Sequence, residues 1–396
     1  MSRASSLPLW TSLHRWLGLG SMLFLFLAAV TGCLLCVDKT IDAALNPDLF
    51  KVAGTHRAIP PIDAVARFEA THAGLRVTNF PLLVPPGRTI AATVESRAGS
   101  PALAFDQAFI DPSDGHLVGT RKSGPGWDRR HIVQGVYEFH YTLLAGVWGR
   151  WLMGVMALGW LIGNGIGLYL TLPLRGPFWE KWKRSWAIDW KARLRWLMLD
   201  LHRASGLWLF IGIIILAFTS VAMNFFDEAY SPAMSAISPA RPSPFDRPAP
   251  KAVGPDVLGF RHALATAERD AAQRGLAWHP AAMSYVPDRN LYGVMFTGSG
   301  RIVYQGLGPV TLYLDGTSGT LVYADDPYSD SGGRKASRML YPLHSGDVIG
   351  PLGNAIIFLL GLATAEMCVS GFYIWWKKRQ SRRAMERTKQ QAKVAA

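Results

Sequence analysis

The stretch Leu201-His202-Arg203-Ala204-Ser205-Gly206-Leu207 opens an apolar segment and has a counterpart near the start of the chain, Leu13-His14-Arg15-Trp16-Leu17-Gly18-Leu19. In both stretches His-Arg is followed by Gly-Leu at the same offset. A threonine then follows each histidine by seventeen residues, as Thr31 in the first copy and Thr219 in the second. The repetition predicts that the chain contains an internal duplication.

A second pair of apolar segments repeats in the same way. The matched positions are His140, Gly146, Gly149, Gly167 and Tyr169 in one copy and His344, Gly350, Gly353, Gly371 and Tyr373 in the other. Five positions at identical offsets are hard to explain by chance. The sequence therefore predicts a duplicated unit with a histidine at the mouth of each of four membrane helices.

The composition favours a membrane protein. Of the 396 residues, 49% are hydrophobic and only 17% are charged, whereas a soluble protein has about 25% charged residues. The net charge is +13, but the basic residues are clustered, which favours loops that orient the chain in a bilayer over a nucleic-acid surface. All three cysteines lie in apolar segments, so no disulfide framework is expected.

Four segments are long enough to cross a hydrocarbon core, which takes about 20 residues. They are 16–37, 151–172, 206–226 and 355–376. The first also resembles a secretory signal peptide. The apolar run continues to Val37, however, and its start repeats at residue 201, so a retained helix is the better interpretation. Cys33 and Cys36 in this segment are expected to be packing residues rather than a redox pair.

The basic residues predict the orientation. Residues 175–195 contain seven Lys and Arg, and the tail from Lys377 contains eight. Such loops stay in the cytoplasm under the positive-inside rule. We therefore expect a bacterial inner-membrane protein with both termini in the cytoplasm and its soluble parts in the periplasm.

The expected fold is an α-helical membrane protein with four transmembrane helices and two small α+β periplasmic domains. Each domain shows a helical pattern followed by strand-like runs. The predicted division is 1–37 (N-terminus and first span), 38–135 (first domain), 136–174 (second span), 175–200 (basic loop), 201–227 (third span), 228–343 (Pro-rich linker and second domain), 344–376 (fourth span) and 377–396 (basic tail).

The predicted topology places His14 and His202 at one depth, and His140 and His344 at another. Haem iron takes two axial imidazole ligands, and a four-helix bundle can hold the macrocycle. Because the sequence has no Cys-x-x-Cys-His attachment motif, two b-type haems are expected. The candidate propionate partners are Arg15, Arg203 and Arg150, although arginines at helix ends also commonly snorkel to the interface. No catalytic residue is predicted.

Other roles for the polar residues stay open. Zinc is a poorer match because its sites usually take three or four protein ligands. Glu366 and Asn164 at membrane depth are candidates for a proton relay. Six further histidines are expected at the surface, with His131 as a spare ligand: His56, His72, His116, His131, His262 and His279.

The opening His14-Arg-Trp-Leu-Gly-Leu19, the repeated helix-strand domains and the four-span frame resemble the PepSY-associated transmembrane family. Within it, the chain is most similar to inner-membrane ferric-siderophore reductases of the ferrioxamine-reductase (FoxB-like) kind. The resemblance implies PepSY-like periplasmic domains and an oxidoreductase whose b-type haems carry electrons to a ferric siderophore, releasing ferrous iron. Because no Gly-x-Gly-x-x-Gly motif is present, the expected electron donor is a membrane quinol or a separate cytoplasmic reductase.

Cationic and aromatic residues precede His140 and His344 and are candidates for docking an oxygen-rich chelate. They are Trp127, Arg129, Arg130 and His131 in one copy and Arg334, Lys335, Arg338 and Tyr341 in the other. Two other functions stay open. One is an envelope sensor or protease inhibitor with a membrane anchor, and the other is a haem or metal permease lined by Glu366 and Asn164.

Overall fold

A computed structural model describes residues 3–52, 58–239, 241–302 and 306–394. His56 lies outside these ranges. Within them the helices are, in chain order, α1 (Arg3–Leu35), α2 (Asp38–Leu45), α3 (Pro47–Phe50), α4 (Pro61–Thr71), α5 (Ile132–Thr142), α6 (Gly146–Thr171), α7 (Phe178–Trp182), α8 (Leu194–Trp208), α9 (Phe210–Asn224), α10 (Ser231–Ile237), α11 (Gly259–Gln273), α12 (Gly332–Ser345) and α13 (Pro351–Val394). The strands are β1 (Leu75–Pro81), β2 (Ile90–Ser96), β3 (Gln107–Ile110), β4 (Leu117–Arg121), β5 (His279–Val286), β6 (Leu291–Thr297), β7 (Val310–Asp315) and β8 (Leu321–Asp325).

Three helices, α1, α6 and α13, are long and apolar enough to cross a membrane. The predicted third span is not one straight helix, because α8 and α9 meet at Leu209 with an angle of 74° between them. Helix α9 has 15 residues, or about 22 Å, which is shorter than the hydrocarbon core of about 30 Å. The described residues thus hold three unbroken spans, and a fourth if the bent pair is one span.

The apolar helices form a ring. Helix α1 packs along α6 and α13, α9 packs along α6, and α8 packs along α13. Consequently α1 and the α8–α9 pair occupy opposite corners. Small residues allow close approach: a Cβ on Gly361 would meet Cys33 of α1, and one on Gly212 would meet Leu360 of α13. Cys33 is buried and packs against α13, where its thiol lies 3.4 Å from the carbonyl of Phe358.

The strands form one antiparallel sheet rather than two. Their order is β4-β3-β2-β1-β5-β6-β7-β8. Strand β1 pairs with β5 through Phe80 and Met283, among others, so the two predicted α+β domains are joined edge to edge. This pairing satisfies two strand edges that would otherwise expose unpaired backbone groups. Helices α4 and α11 contribute Phe68 and Ala267 to the buried core, which spans both halves.

Sharp corners separate α5 from α6 and α12 from α13. Leu143, Leu144 and Gly146 have positive φ at the first corner, and Gly346 and Gly350 at the second. A continuous helix from residue 140 to 170 would be about 45 Å long. The corner instead allows α5 to fold back against α1 and α6, which brings its histidine to the bundle.

Close backbone contacts hold both corners. A Cβ on Gly149 would collide with the carbonyl oxygen of Thr142, and one on Gly353 would collide with that of Gly346. Gly149 and Gly353 follow His140 and His344 at the same offset, so this matched spacing has a steric reason.

Candidate metal centres

Two of the predicted histidines face each other across the bundle. His14 of α1 and His202 of α8 have ring centroids 6.2 Å apart, with an angle of 76° between the ring planes. Two imidazoles that share one metal ion through bonds of about 2 Å have ring centroids roughly 6 Å apart. The inner pair, His14 and His202, therefore has the spacing of two ligands on opposite sides of one metal ion.

The other two histidines face each other in the same manner. His140 of α5 and His344 of α12 have ring centroids 6.2 Å apart and an interplanar angle of 63°. The four histidines thus form two separate pairs, an arrangement that suits two centres with two protein ligands each. We call His140 and His344 the outer pair.

Hydrogen bonds set the ring tautomers of the inner pair. The Nδ1 atom of His14 lies 2.9 Å from the carbonyl oxygen of Gly163, and Nδ1 of His202 lies 3.0 Å from that of Met367. A carbonyl oxygen only accepts, so Nδ1 carries the proton and donates. The lone pair of Nε2 is then available for a metal, the arrangement typical of metal-bound histidines.

Threonine hydroxyls set the ring tautomers of the outer pair. The Thr31 hydroxyl donates to the carbonyl of Leu27 at 2.7 Å and therefore accepts from Nδ1 of His140 at 2.9 Å. Thr219 repeats this, donating to its own helix and accepting from His344 at 3.0 Å. Sequence reasoning gave these threonines no role, although their equal spacing from His14 and His202 was the signal.

Glycines let three of the rings lie against a neighbouring helix. A Cβ on Gly167 would lie 3.1 Å from Cε1 of His14, one on Gly371 would lie 3.1 Å from Cε1 of His202, and one on Gly32 would lie 3.2 Å from Cε1 of His140. By contrast, a Cβ on Gly165 would meet nothing within 4 Å. The repeated Gly167 and Gly371 therefore provide space for the ligand rings.

The predicted arginines fall into two groups. Arg15 and Arg203 adjoin the inner pair and each has a buried Nε atom without a hydrogen-bond partner, although Arg203 also forms an ion pair with Asp200 at 2.9 Å. An unpartnered buried donor beside each histidine suits an anionic group in the bundle. Arg150 differs, because it contacts Glu228 and donates to the carbonyl of Asn224 at 2.6 Å.

The two pairs lie at different depths. Helix α6 continues for eight residues past Gly163, about 12 Å, and α13 runs ten residues from Met367 to Lys377, about 15 Å. The inner pair is thus well inside the bundle, measured from its basic end. Thr31 lies seventeen residues from His14 along α1, so the outer pair is about 25 Å away, toward the sheet.

Four arginines of the candidate docking segments form local ion pairs. Arg129 and Arg130 both contact Asp48, and Arg334 and Arg338 both contact Asp325. The Arg129 guanidinium, which hydrogen-bonds to Asp48, and that of Arg130 hold the pKa of this carboxyl below its usual value. The cations of these segments therefore serve first to hold the segments in place.

His131 is not placed as a spare ligand. Its Nδ1 pairs with Asp128 at 2.7 Å and its Nε2 lies 3.0 Å from the carbonyl of Lys122. Both ring nitrogens are therefore occupied.

Near His131, Trp127 is 70% exposed and lines a cavity of about 320 Å³ together with Glu138 of α5. This cavity lies on the helix that carries His140.

The two polar residues considered for a proton relay differ in their surroundings. The Asn164 amide donates to the carbonyl of Trp160 in its own helix at 2.9 Å. Glu366 has two buried carboxylate oxygens without a hydrogen bond. The hydrogen bonds of the described residues do not connect the two.

Apolar spans joined to an antiparallel sheet define a membrane protein. The family model of the PepSY-associated TM region matches residues 11–378. The chain therefore belongs to that family. Among curated proteins, a sequence search finds no match.

Proposed function

We propose that the protein is an inner-membrane b-type cytochrome that reduces ferric siderophores in the periplasm and thereby releases ferrous iron. The observation that carries this proposal is the presence of two facing histidine pairs, each with 6.2 Å between ring centroids. The rings of both pairs are held with Nε2 free. A sensor or protease inhibitor that is merely anchored in the membrane has no use for such pairs.

The donor set fits haem. His14 and His202 would hold one haem and His140 and His344 the other, with the buried Nε atoms of Arg15 and Arg203 near the inner propionates. A haem held by two of these imidazoles would supply one-electron transfer rather than oxygen chemistry. The surrounding apolar helices keep water away, and the Nδ1 hydrogen bonds hold each ring in its orientation.

The direction of transfer follows from the basic segments. If residues 175–195 and the tail lie in the cytoplasm, the inner pair is on the electron-entry side and the outer pair lies beneath a periplasmic sheet. An internal duplication would explain why His14, on the first span, and His202, on the bent third span, lie at the same depth. Both termini would lie in the cytoplasm.

A ferric siderophore suits this exit side. The chelate binds ferric iron through hard oxygen donors, and gain of one electron weakens that coordination without cleavage of the chelator. The cavity beside Trp127 is next to the helix of His140, so an acceptor docked there would be close to the outer pair. The exposed indole offers an apolar surface to the chelator.

The test uses the purified protein. Its visible spectrum should show b-type bands that sharpen and split when dithionite is added. Reduced protein is then mixed anaerobically with ferrioxamine-type ferric siderophore and a ferrous trap, and haem reoxidation should follow ferrous iron formation. The gallium-loaded siderophore, which is not reducible, is the matched control and should leave the haem reduced. A colourless protein, or a haem that stays reduced with the ferric complex, would refute the proposal.

A further inference from the structure

Among the described residues, Glu366 of α13 is the only acidic residue with buried side-chain oxygens that make no hydrogen bond. This holds for both oxygens of its carboxylate. The hydroxyls of Ser205 on α8 and Ser370 on α13 lie near the carboxyl, but they do not reach hydrogen-bond geometry. Burial of an ionisable group without a partner is costly. Inside a membrane such residues usually belong to a path for substrates, ions or protons. The electron transfer described above does not use this carboxyl.

Glu366 lies at the level of the inner pair. The next residue, Met367, provides the carbonyl that accepts from His202 at 3.0 Å, and the Ser370 hydroxyl is 3.1 Å from the same ring nitrogen. Because Ser205 is one turn beyond His202 on α8, the carboxyl faces this helix. The acid is therefore one serine away from a ligand of the proposed inner centre.

The depth of this site distinguishes between possible electron donors. The inner pair is about 12–15 Å from the basic ends of α6 and α13, which is roughly half of a hydrocarbon core of about 30 Å. A water-soluble reductase docked on the basic loop would remain separated from the pair by this distance. A lipid-soluble donor reaches the same depth from the bilayer. If that donor also releases protons, a base is needed there.

We propose that the electron donor is a membrane hydroquinone, oxidised beside the inner pair, and that Glu366 accepts one of its protons. This inference rests on the proposed function and specifies its electron source. The hydroquinone loses two electrons and two protons and becomes a quinone. The haem that His14 and His202 would hold would take up these electrons one at a time. One proton converts the Glu366 carboxylate to the acid, and the other is released to water at the basic side.

The experiment compares two reductants on the purified holoprotein under anaerobic conditions. Decylubiquinol is the probe hydroquinone and dithionite is the general reductant. The wild type should be reduced by both. Glu366→Gln should be reduced by decylubiquinol about a hundredfold more slowly, the effect typical of a lost general base, and by dithionite normally. Glu366→Asp should recover part of the rate. Thr364→Val is the control in the same helix, because the Thr364 hydroxyl only donates to the carbonyl of Leu360 at 2.8 Å, and this variant should match the wild type.

Infrared difference spectra supply a second measurement. Reduction by decylubiquinol should produce a carboxylic-acid carbonyl band in the wild type that Glu366→Gln lacks, which a purely structural residue would not produce. If dithionite but not decylubiquinol reduces the wild type, the donor is wrong while siderophore reduction stands. If Glu366→Gln reacts at the wild-type rate, Glu366 is not the acceptor. If no haem is present, the dithionite control fails and the proposed function fails with it.

Discussion

At the scale of single residues, the histidine pairs predict which substitutions act together. His14→Ala and His202→Ala should remove the same haem, and His140→Ala and His344→Ala the other, because the rings face each other in these pairs. A pyridine haemochrome assay should find one of two haems in each single variant. The double variant His14→Ala with His202→Ala should retain as much haem as either single variant. Full haem in any single variant would exclude that residue as a ligand.

The glycines give a second prediction at this scale. In Gly167→Ala the new methyl group would lie 3.1 Å from Cε1 of His14, a ring already held by its bond to Gly163. Overpacking of this kind costs about 1–3 kcal/mol. We expect weaker binding of the inner haem, measured by haem transfer to apomyoglobin. Gly165→Ala, where the methyl group meets nothing, is the control and should match the wild type. Equal haem loss in both variants would contradict a steric cause.

At the scale of the elements, the orientation of the helices is the testable point. A reporter that is active only in the periplasm should be active when fused after Leu314, in β7, and silent when fused after Arg184, in the basic loop. The physical reason is the retention of Lys- and Arg-rich loops in the cytoplasm. The reverse pattern would place the sheet in the cytoplasm and exclude periplasmic siderophores as the substrate.

The corner between α5 and α6 gives another prediction for an element. Gly149→Ala would push a methyl group into the carbonyl of Thr142, so α5 should lose its position and His140 its place in the outer pair. We expect selective loss of the outer haem, seen as loss of one of the two b-type bands. Gly159→Ala is the control in the same helix, because a Cβ there meets only Leu17 at 3.9 Å. Normal spectra for Gly149→Ala would show that the corner tolerates a side chain.

Many of the helices and strands could be predicted from the sequence, because the length of an apolar segment and a repeated residue spacing are strong signals. The helical pattern expected in the first domain corresponds to α4, and a strand-like run expected in the second domain corresponds to β6. The depth of His140 was not accessible, since the corner uses Leu143 and Leu144 in a left-handed conformation, which leucine rarely adopts. The bend at Leu209 likewise lacks a proline or glycine at the break.

At the scale of the whole molecule, one sheet joins the strands β1–β4 to the strands β5–β8, and this joining was not predicted. Sequence patterns indicate strands, but they do not show which edges meet, and β1 and β5 resemble other strands in their alternation. The joint is reinforced by side chains from both halves. Arg76 of β1 pairs with Asp256 at 3.2 Å and lies over the ring of Tyr285. Tyr292 donates to the same carboxylate at 2.7 Å.

The pairing of β1 with β5 affects the positions of the two histidines of the outer pair. Strand β4 leads into α5, which carries His140, and β8 leads into α12, which carries His344. The two histidines therefore follow different halves of the sheet, and we expect the sheet to help fix their separation. Burial, followed by the Asp256 carboxylate, raises the pKa of Tyr292, so its phenol remains a donor to Asp256 across the physiological pH range. The hydrogen bond from Tyr292 to Asp256 should therefore not weaken within this pH range.

Arg76→Met tests this coupling, because it keeps the aliphatic stem and removes the charge. Loss of a hydrogen-bonded charged group typically costs about 1.5–3 kcal/mol, so the thermal midpoint should fall. We expect the proposed outer haem to dissociate more readily, while the proposed inner haem, whose candidate ligands lie on α1 and α8, is retained. Lys122→Met is the control, since its pair with Asp106 is exposed and within one half, and exposed pairs contribute little. Equal loss of both haems would indicate general unfolding, whereas unchanged retention of the outer haem would show that α5 and α12 hold their spacing through the bundle alone.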